Sequence, residues 1–224
     1  MNIYLHPGEE RTLAAVQPQH DALHIDLAPH SRFTLLVQRD EPHDVSYSID
    51  FQQDSYCRII YLSHLAKKNQ KNTANQKIIV NFVGSNAVCE YFGLCNVAEN
   101  AEVQANVEVF HNAGNCTSRQ VFKAIADNDA RVCFDGKIVV ARDAQKTNAS
   151  QTSKGILLSN TAHIVAQPQL EIYADDVKCS HGAAVGQLDA EALFYLRSRG
   201  IDQPQARQML LQAFAQEILD LIDN

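Results

Sequence analysis

Residues 99–109 read ENAEVQANVEV, and this stretch decides the fold. From Glu102 to Val109 polar and apolar residues alternate, and residues 44–51 alternate in the same way. A period of two places one side of a β-strand in a core and the other side in solvent. The pattern therefore predicts a mainly β protein.

An internal repeat indicates how the strands are arranged. The repeated unit is a polar stretch followed by Ala, any residue and an apolar residue. It occurs at Ala101, Ala130 and Ala162, which are 29 and 32 residues apart. Ala87 and Ala144 each lie about half a repeat away from one of these positions. A turn and a strand repeated at this spacing predict a β-solenoid, in which each coil buries its apolar side on the next. An antiparallel sandwich also repeats its strands at short intervals, so the repeat alone leaves both architectures open.

The proline distribution supports a long β region. Residues 43–167 contain no proline, which suits a segment whose backbone N–H groups all take part in strand pairing. Two polar stretches, Lys67–Lys77 and Thr147–Ser153, are predicted to be a loop and a linker. Further strands are predicted at Arg32–Gln38, Arg58–His64, Lys77–Val83, Arg119–Ile125, Arg131–Phe134, Lys137–Ala141, His163–Ala166, Leu170–Tyr173 and Val177–His181.

Two helices are predicted at the C-terminus. Asp189 is a suitable N-cap for a helix at Ala190–Arg199, and Gly200 provides its end. A second helix follows Asp202 and runs to about Leu221. This pair either caps the open end of the solenoid or docks on another protein. The apolar stripe predicted for the second helix comprises Ala206, Leu210, Ala213, Phe214, Glu217, Ile218 and Leu221.

Composition excludes several classes of protein. A net charge of −7 argues against a nucleic-acid partner, which needs a basic surface. No apolar run approaches about 18 residues, so no membrane span is expected, and the first residues do not have the layout of a signal peptide. We therefore expect a cytoplasmic protein whose six cysteines are reduced thiols. None of them forms a C-x-x-C pair, which excludes a zinc ribbon.

Residues 168–182, PQLEIYADDVKCSHG, are the densest in potential chemistry. On a strand, Cys179 and His181 share a face with Cβ atoms about 6.5–7 Å apart, so they could ligate one metal ion or a small cluster. The imidazole could also lower the pKa of the thiol. Two ligands do not complete a site, so the others would come from another chain. Alternatively, Cys179 points to the same side of the strand as Val177 and simply fills the core. The adjacent carboxylates of Asp175 and Asp176 are interpreted as a turn rather than as an acid/base pair.

Residues 116–186 resemble the conserved half of SufD proteins in the SufB/SufD family, the scaffolds of the Suf iron–sulfur cluster assembly system. The resemblance is convincing over residues 85–201 and extends from about residue 30. Its most specific motifs are SRQ at Ser118–Gln120, FDGKI at Phe134–Ile138, AQKT at Ala144–Thr147, PQLEIYADDVKCSHGA at residues 168–183 and LDAEALFYLRSRGI at residues 188–201.

This resemblance implies a right-handed parallel β-helix with a C-terminal two-helix appendage. It implies a SufB-like scaffold and a SufC-like ATPase as partners, a homodimer when the chain is isolated, and no enzymatic activity. Cys179 and His181 would assemble a transient iron–sulfur cluster at a subunit interface, with no cluster expected in the isolated chain. The cysteine of SufB-like proteins is replaced here by Ile172, so a SufD-like role is implied. The ATPase is expected to contact Leu193, Leu196, Met209, Leu210 and Phe214.

The expected organisation is an N-terminal extended segment at 1–30, a β-helix core at 31–187 and a helical segment at 188–224. Two other functions stay open. One is an interaction-only module without cluster ligands. The other is a β-helix enzyme acting on polysaccharide. Such an enzyme needs acidic residues stacked on consecutive coils, and the sequence shows no such stack. The remaining cysteines are predicted to be core thiols: Cys57, Cys89, Cys95, Cys116 and Cys133.

Overall fold

The computed structural model describes residues 1–16, 22–66 and 73–222. Within these residues it contains fourteen β-strands followed by two α-helices. They are β1 (Asn2–Leu5), β2 (Glu10–Val16), β3 (Ala22–Leu27), β4 (Arg32–Arg39), β5 (Val45–Phe51), β6 (Tyr56–Leu65), β7 (Thr73–Phe82), β8 (Val88–Val97), β9 (Glu102–His111), β10 (Thr117–Ala126), β11 (Arg131–Val140), β12 (Asn148–Leu157), β13 (His163–Ile172), β14 (Lys178–Gln187), α1 (Ala190–Ser198) and α2 (Gln203–Leu219).

The strands form two sheets of seven strands each. The odd-numbered strands make the first sheet and the even-numbered strands the second, and every strand pairs in parallel with the strand two places along the chain. The chain therefore alternates between the sheets and returns to each one a coil later. This confirms the predicted parallel β-solenoid with two C-terminal helices and excludes the antiparallel sandwich.

Alternation along the strands fills the space between the sheets. In β9 every second residue from Val103 to His111 is buried. Because neighbouring coils are in register, equivalent side chains stack: Phe51, Phe82 and His111 are successive partners, with ring centroids 4.9 and 4.5 Å apart. Aromatic stacking adds to the stabilisation from buried apolar area.

Left-handed residues turn the chain between strands at one corner of the solenoid. Asp54, Asn86 and Asn115 have φ angles of 56°, 60° and 59°, a conformation that Asp and Asn adopt more readily than most residues. The backbone N–H of each donates to a carbonyl of the next coil. The predicted repeat marks the corners, because its alanines Ala87 and Ala101 are fully buried beside the turns.

The N-terminal residues are part of the solenoid. The segment 1–30, predicted as an extended segment, contributes β1, β2 and β3 to the two sheets, so the predicted boundary at residue 31 is not an edge of the solenoid. Its strands are short, and Pro7 and Pro29, which obscured them in the sequence, lie in turns.

The predicted linker Thr147–Ser153 is wrong, since most of it belongs to β12. The period of two was hidden because inward positions of this strand carry polar residues, Gln151 and Ser153, which are nonetheless buried. The predicted loop Lys67–Lys77 lies partly outside the described residues, and its last part, from Thr73, belongs to β7.

Both predicted helices are confirmed in position. Asp189 caps α1 by accepting from two backbone N–H groups, and Gly200 follows its end with a φ of 88°. Asp202 caps α2 by accepting from the backbone N–H of Gln205. In the described part of the chain, neither helix combines the length and the apolar character that a membrane crossing requires.

Helix α2 packs on the outer face of the second sheet. Its Ala215 and Ile218 are buried in a cluster with Ile60, Phe92 and Val121. The sequence left open whether the helices cap the end of the solenoid or dock on another protein. The structure places α2 along the side of the solenoid and not over its end, and docking on another protein stays a prediction.

The buried face of α2 follows most of the predicted stripe. Ala206 and Ile218 are buried and Leu210, Phe214 and Leu221 are half-buried, whereas Ala213 is exposed and Ala215, outside the stripe, is buried. Lys123 of β10, whose side chain is only 5% exposed, adds a polar contact to this face. Its Nζ donates to the Phe214 carbonyl at 2.7 Å and pairs with Glu217 Oε2 at 2.7 Å. This pairing lowers the pKa of Glu217.

We expect folding stability to depend on the protonation of His111. Burial lowers its pKa from 6.5 to about 4, so between these values the unfolded chain binds a proton that the folded chain does not. The free energy of unfolding is therefore highest above pH 6.5 and falls by about 3 kcal/mol as the pH drops toward 4. Urea unfolding of wild type and His111→Gln across this range should show that the variant loses most of the dependence. If the free energy of unfolding of wild type and variant changed with pH to the same extent, His111 would not be the source of the dependence.

Candidate functional site

Cys179 and His181 lie on β14, the last strand of the solenoid. β14 is at the edge of its sheet and pairs with β12 alone among the described strands. The backbone N–H of Lys178 donates to Thr147 next to β12. Because N–H groups alternate in direction along a strand, those of Cys179 and His181 point away from β12.

The two side chains face the axis of the solenoid at its open end. Cys179 is the register partner of Ala149, and His181 is the register partner of Gln151. Ala149 and Gln151 are buried inside the solenoid, and register partners of a parallel sheet point to the same side. Cys179 is half-buried against the core, whereas His181 is exposed.

The last coil leaves the end of the core uncovered in the described part of the chain. Ile164 and Leu170 of β13 pack against the core but are only half-buried. Beside them Ile172 and Val185, whose register partners Val140 and Gly155 are buried, are 40% and 41% exposed. Apolar side chains exposed together in this way are typical of a site of protein interaction.

The thiol of Cys179 is not activated in the isolated chain. Burial raises its pKa, and a hydrogen bond from the backbone of Ala149 offsets only part of this effect. The His181 imidazole is not among the causes of this shift, so the predicted lowering of the thiol pKa is absent in the chain alone.

The other cysteines are free thiols. Cys57, Cys89, Cys95 and Cys116 are buried, and burial raises the pKa of each, as expected for core thiols. Cys133 differs because it is half-buried, and it alternates with inward Val132 and Phe134, which places it on the outer face of β11.

The acidic residues do not complete a site around Cys179. Asp175 and Asp176 lie in a bend before β14, and the Asp176 carbonyl accepts from the backbone N–H of Lys146 at 2.6 Å. In the described residues, the one trio with potential ligand atoms within 4.8 Å of one another is His24, Asp26 and Asp50, on the first sheet.

Two members of this trio, Asp26 and Asp50, are acidic residues stacked on consecutive coils, which the sequence analysis did not predict. Asp26 and Asp50 are register partners on β3 and β5, which sequence spacing alone does not reveal. His24 Nε2 lies 3.2 Å from Asp26 Oδ1 and 3.7 Å from Asp50 Oδ2, and the Asn81 amide donates to Asp50 Oδ1 at 2.7 Å. The carboxylates are thus already partnered within the protein.

The predicted partner-binding residues divide into two groups. Met209 is 43% exposed, whereas Leu193, Leu196 and Leu210 are half-buried. Phe214 is also half-buried, and its ring lies 5.0 Å from Lys123 Nζ, so it contacts the solenoid of its own chain.

The sequence reading missed the most exposed apolar residues of α1. Phe194 and Tyr195 are 74% and 57% exposed. They belong to the family motif LDAEALFYLRSRGI, between Leu193 and Leu196. Two adjacent aromatic residues on a short helix could have indicated an exposed apolar surface.

Comparison with protein families gives one match over most of the chain. The family model described as "SUF system FeS cluster assembly, SufBD core domain" matches residues 15–214.

Similar curated proteins agree with this match. The iron–sulfur cluster assembly protein SufD of Escherichia coli is 44% identical over 139 residues, covering 62% of this chain and 33% of that protein. A SufBD family protein of Synechocystis is 44% identical over 122 residues, covering 54% and 26%, and the chloroplast protein ABCI7 of Arabidopsis thaliana is 39% identical over 134 residues, covering 59% and 28%. The matched segment spans a third or less of these relatives.

We expect two of the six thiols to react with an alkylating reagent in the folded chain. Cys179 and Cys133 are half-buried and the other four are buried, so only these two are accessible. Because burial raises the pKa of Cys179, its labelling should accelerate as the pH rises. Mass spectrometry of digests would locate the label, and Cys179→Ala should remove one of the two modifications. Labelling of Cys57 or Cys95 at the same rate would contradict this description of the core.

Proposed function

The chain belongs to the SufBD core family of the SUF iron–sulfur cluster assembly system, and from this membership we propose that it is a SufD-like scaffold subunit. It pairs with a SufB-like scaffold in the cytoplasm, docks a SufC-like ATPase and contributes ligands to a cluster that is being assembled. The chain supplies geometry and ligands, and bond-making steps belong to its partners.

The uncovered end of the solenoid carries this proposal. β14 offers an unpaired row of backbone groups beside exposed apolar side chains, and Cys179 and His181 stand in the same place. A strand of a SufB-like partner would satisfy these backbone groups and cover Val185. Pairing would thus bring the partner directly to the two ligands. Without that partner, the same edge is available to a second copy of the chain, which favours a homodimer.

The donor set fits a shared cluster and not a complete site. One sulfur and one nitrogen donor suit iron, but an iron–sulfur cluster usually takes about four protein donors. The hard oxygen donors nearby, Asp175 and Asp176, lie in the preceding bend. The cluster is therefore cargo at the subunit interface, and the SufB-like partner supplies the remaining ligands. We expect the isolated chain to bind iron weakly or not at all.

The position that carries a cysteine in SufB-like proteins supports the SufD-like role. It is Ile172 here, the last residue of β13, and its side chain is 40% exposed at the open end. An apolar side chain cannot ligate iron, but it can pack against a partner.

The C-terminal helices are the proposed docking site for the ATPase. Phe194, Tyr195 and Met209 are exposed, and exposed aromatic residues are frequent anchors of interfaces. Leu193, Leu196 and Leu210 support this surface from half-buried positions, whereas Phe214 holds α2 on the solenoid.

The docking surface and the ligands are mechanically connected. Lys123 ties α2 to β10, and β10, β12 and β14 are successive strands in one sheet. A movement of the ATPase during hydrolysis would therefore act on β14 through α2 and two in-register strand pairs. In this way, ATP hydrolysis would shift the scaffold pair and expose Cys179 and His181.

One observation favours the second candidate, an interaction-only module. Cys179 packs against the core and burial raises its pKa, as in a structural thiol. In that case the open end would bind the partner while neither residue touches the cluster.

Substitution of the two ligands separates these functions. We expect Cys179→Ala and His181→Ala to leave folding and partner binding intact, because Cys179 is half-buried and His181 exposed at an edge. Cluster yield in the reconstituted complex should fall to that of a complex without this chain, measured by the absorbance of the cluster. Ser180→Ala, on the opposite face of β14, is the matched control. Wild-type yield in both variants would establish the interaction-only module.

Substitution of the aromatic pair tests the docking surface. We expect Phe194→Ser and Tyr195→Ser each to weaken binding of the ATPase roughly tenfold, because truncating an interface aromatic commonly costs more than about 1 kcal/mol. Calorimetric titration would measure the affinity. Tyr4→Ser is the control, since Tyr4 on β1 is 55% exposed at the other end of the solenoid. Unchanged affinity in both helix variants would exclude this surface.

A further inference from the structure

A row of polar side chains runs through the solenoid interior and ends at His181. Tyr91, Gln120, Gln151 and His181 are successive register partners on β8, β10, β12 and β14. The first three are 1–2% exposed, which is unusual for glutamine. Only His181, at the open end, reaches solvent.

The orientation of the Gln151 amide is fixed by its neighbour in the row. Its Nε2 donates to Gln120 Oε1 at 3.0 Å. Its Oε1 is buried and has no hydrogen-bond partner in the described residues. In a glutamine ladder each amide donates to one neighbouring strand and accepts from the other. Since Nε2 is engaged on the side of β10, the oxygen is the group of this amide left to accept a proton from the side of β14, where the register partner is His181.

Glycine at position 136 makes room for this amide. A Cβ on Gly136 would lie 1.6 Å from Gln151 Nε2, a distance that excludes any other residue there while the amide keeps its place. The interior is therefore shaped around the Gln151 side chain, which agrees with a function for the amide beyond filling space.

Within the row a donor is missing at the Gln151 oxygen. Gln151 donates to Gln120, and the Gln120 Nε2 group has no partner among the described residues. Tyr91 donates its hydroxyl proton across the interior to Gln76 Oε1 on β7 at 3.3 Å. A buried acceptor without a donor is costly, and the residue that follows Gln151 in the row is a histidine, whose ring can donate.

We propose that Gln151 is the positioning residue for His181: its Oε1 accepts the proton of one imidazole nitrogen and leaves the lone pair of the other nitrogen at the open end. The partner of a ring N–H decides which nitrogen ligates a metal. The inference rests on the proposed function for its purpose, because it explains how an exposed histidine presents one defined nitrogen to a cluster at the interface.

Nitrogen-15 NMR of the imidazole in the full chain tests the proposal. At about 1.5 pH units above the usual histidine pKa, His181 should have one predominant tautomer in the wild type. Gln151→Leu should reduce that preference roughly fivefold, the effect of losing one ordinary hydrogen bond. Gln151→Glu keeps an acceptor oxygen at this place and should restore the preference.

Controls separate positioning from a merely structural effect. Gln76→Leu removes a fully buried amide on β7 that lies outside the row and accepts from Tyr91, and it should leave the His181 tautomer unchanged even if stability falls. If Gln151→Leu does not fold, Gln151→Asn keeps the amide but is too short to reach β14, and should show the same loss of preference. An unchanged tautomer ratio in the folded Gln151 variants overturns the proposal.

The NMR result and the proposed function can fail independently. In the reconstituted complex, loss of a residue that orients a metal ligand should reduce cluster yield or cluster affinity roughly ten- to a hundredfold. If His181→Ala assembles clusters normally while the Gln151 variants change the tautomer, the proposed function is wrong and the positioning stands. If His181→Ala abolishes assembly and the tautomer does not respond to Gln151, the positioning is wrong and the function stands.

Discussion

Hydrogen bonding between parallel coils in register is the constraint on which the rest of the structure depends. Each strand satisfies its backbone groups only through the strand one coil away, and left-handed corner residues such as Asn86 and Asn115 donate to the next coil as well. Register then dictates side-chain position, so rings stack on rings and amides on amides. The same constraint leaves the last coil with unpaired groups, and the candidate site lies there.

The sequence predicts the fold correctly where buried positions carry apolar residues and exposed positions carry polar residues. The alternation around Val103 and the alanine repeat predicted a β protein that is either a solenoid or a sandwich, and the family resemblance favoured the solenoid. β12 was missed because its inward positions are polar, and the pair of Asp26 and Asp50 was missed because register between coils is not a spacing in the chain. Cys179 and His181 could be singled out by their parity, but their relation to Gln151 required the register.

The position of α2 shows how a buried charge can add to an apolar contact. Ile218 of the predicted stripe is buried against the second sheet, and beside it Lys123 pairs with Glu217 and the Phe214 carbonyl. A lysine with a 5% exposed side chain needs such partners, because an unpaired buried charge is strongly destabilising. Its pairing also joins the helical segment to the sheet that carries β14.

The single proline of β13 has a consequence for self-assembly. His163 and Tyr173 donate their N–H groups toward β11, so by alternation the nitrogen of Pro168 faces outward and offers no proton. Continuation of the solenoid beyond β13 and β14 by another chain would require both sheets to extend across the junction. Pro168 removes one hydrogen-bond donor from the outer edge of β13, whereas β14 contains no proline. Strand pairing at this end is therefore less favourable through the first sheet than through the second.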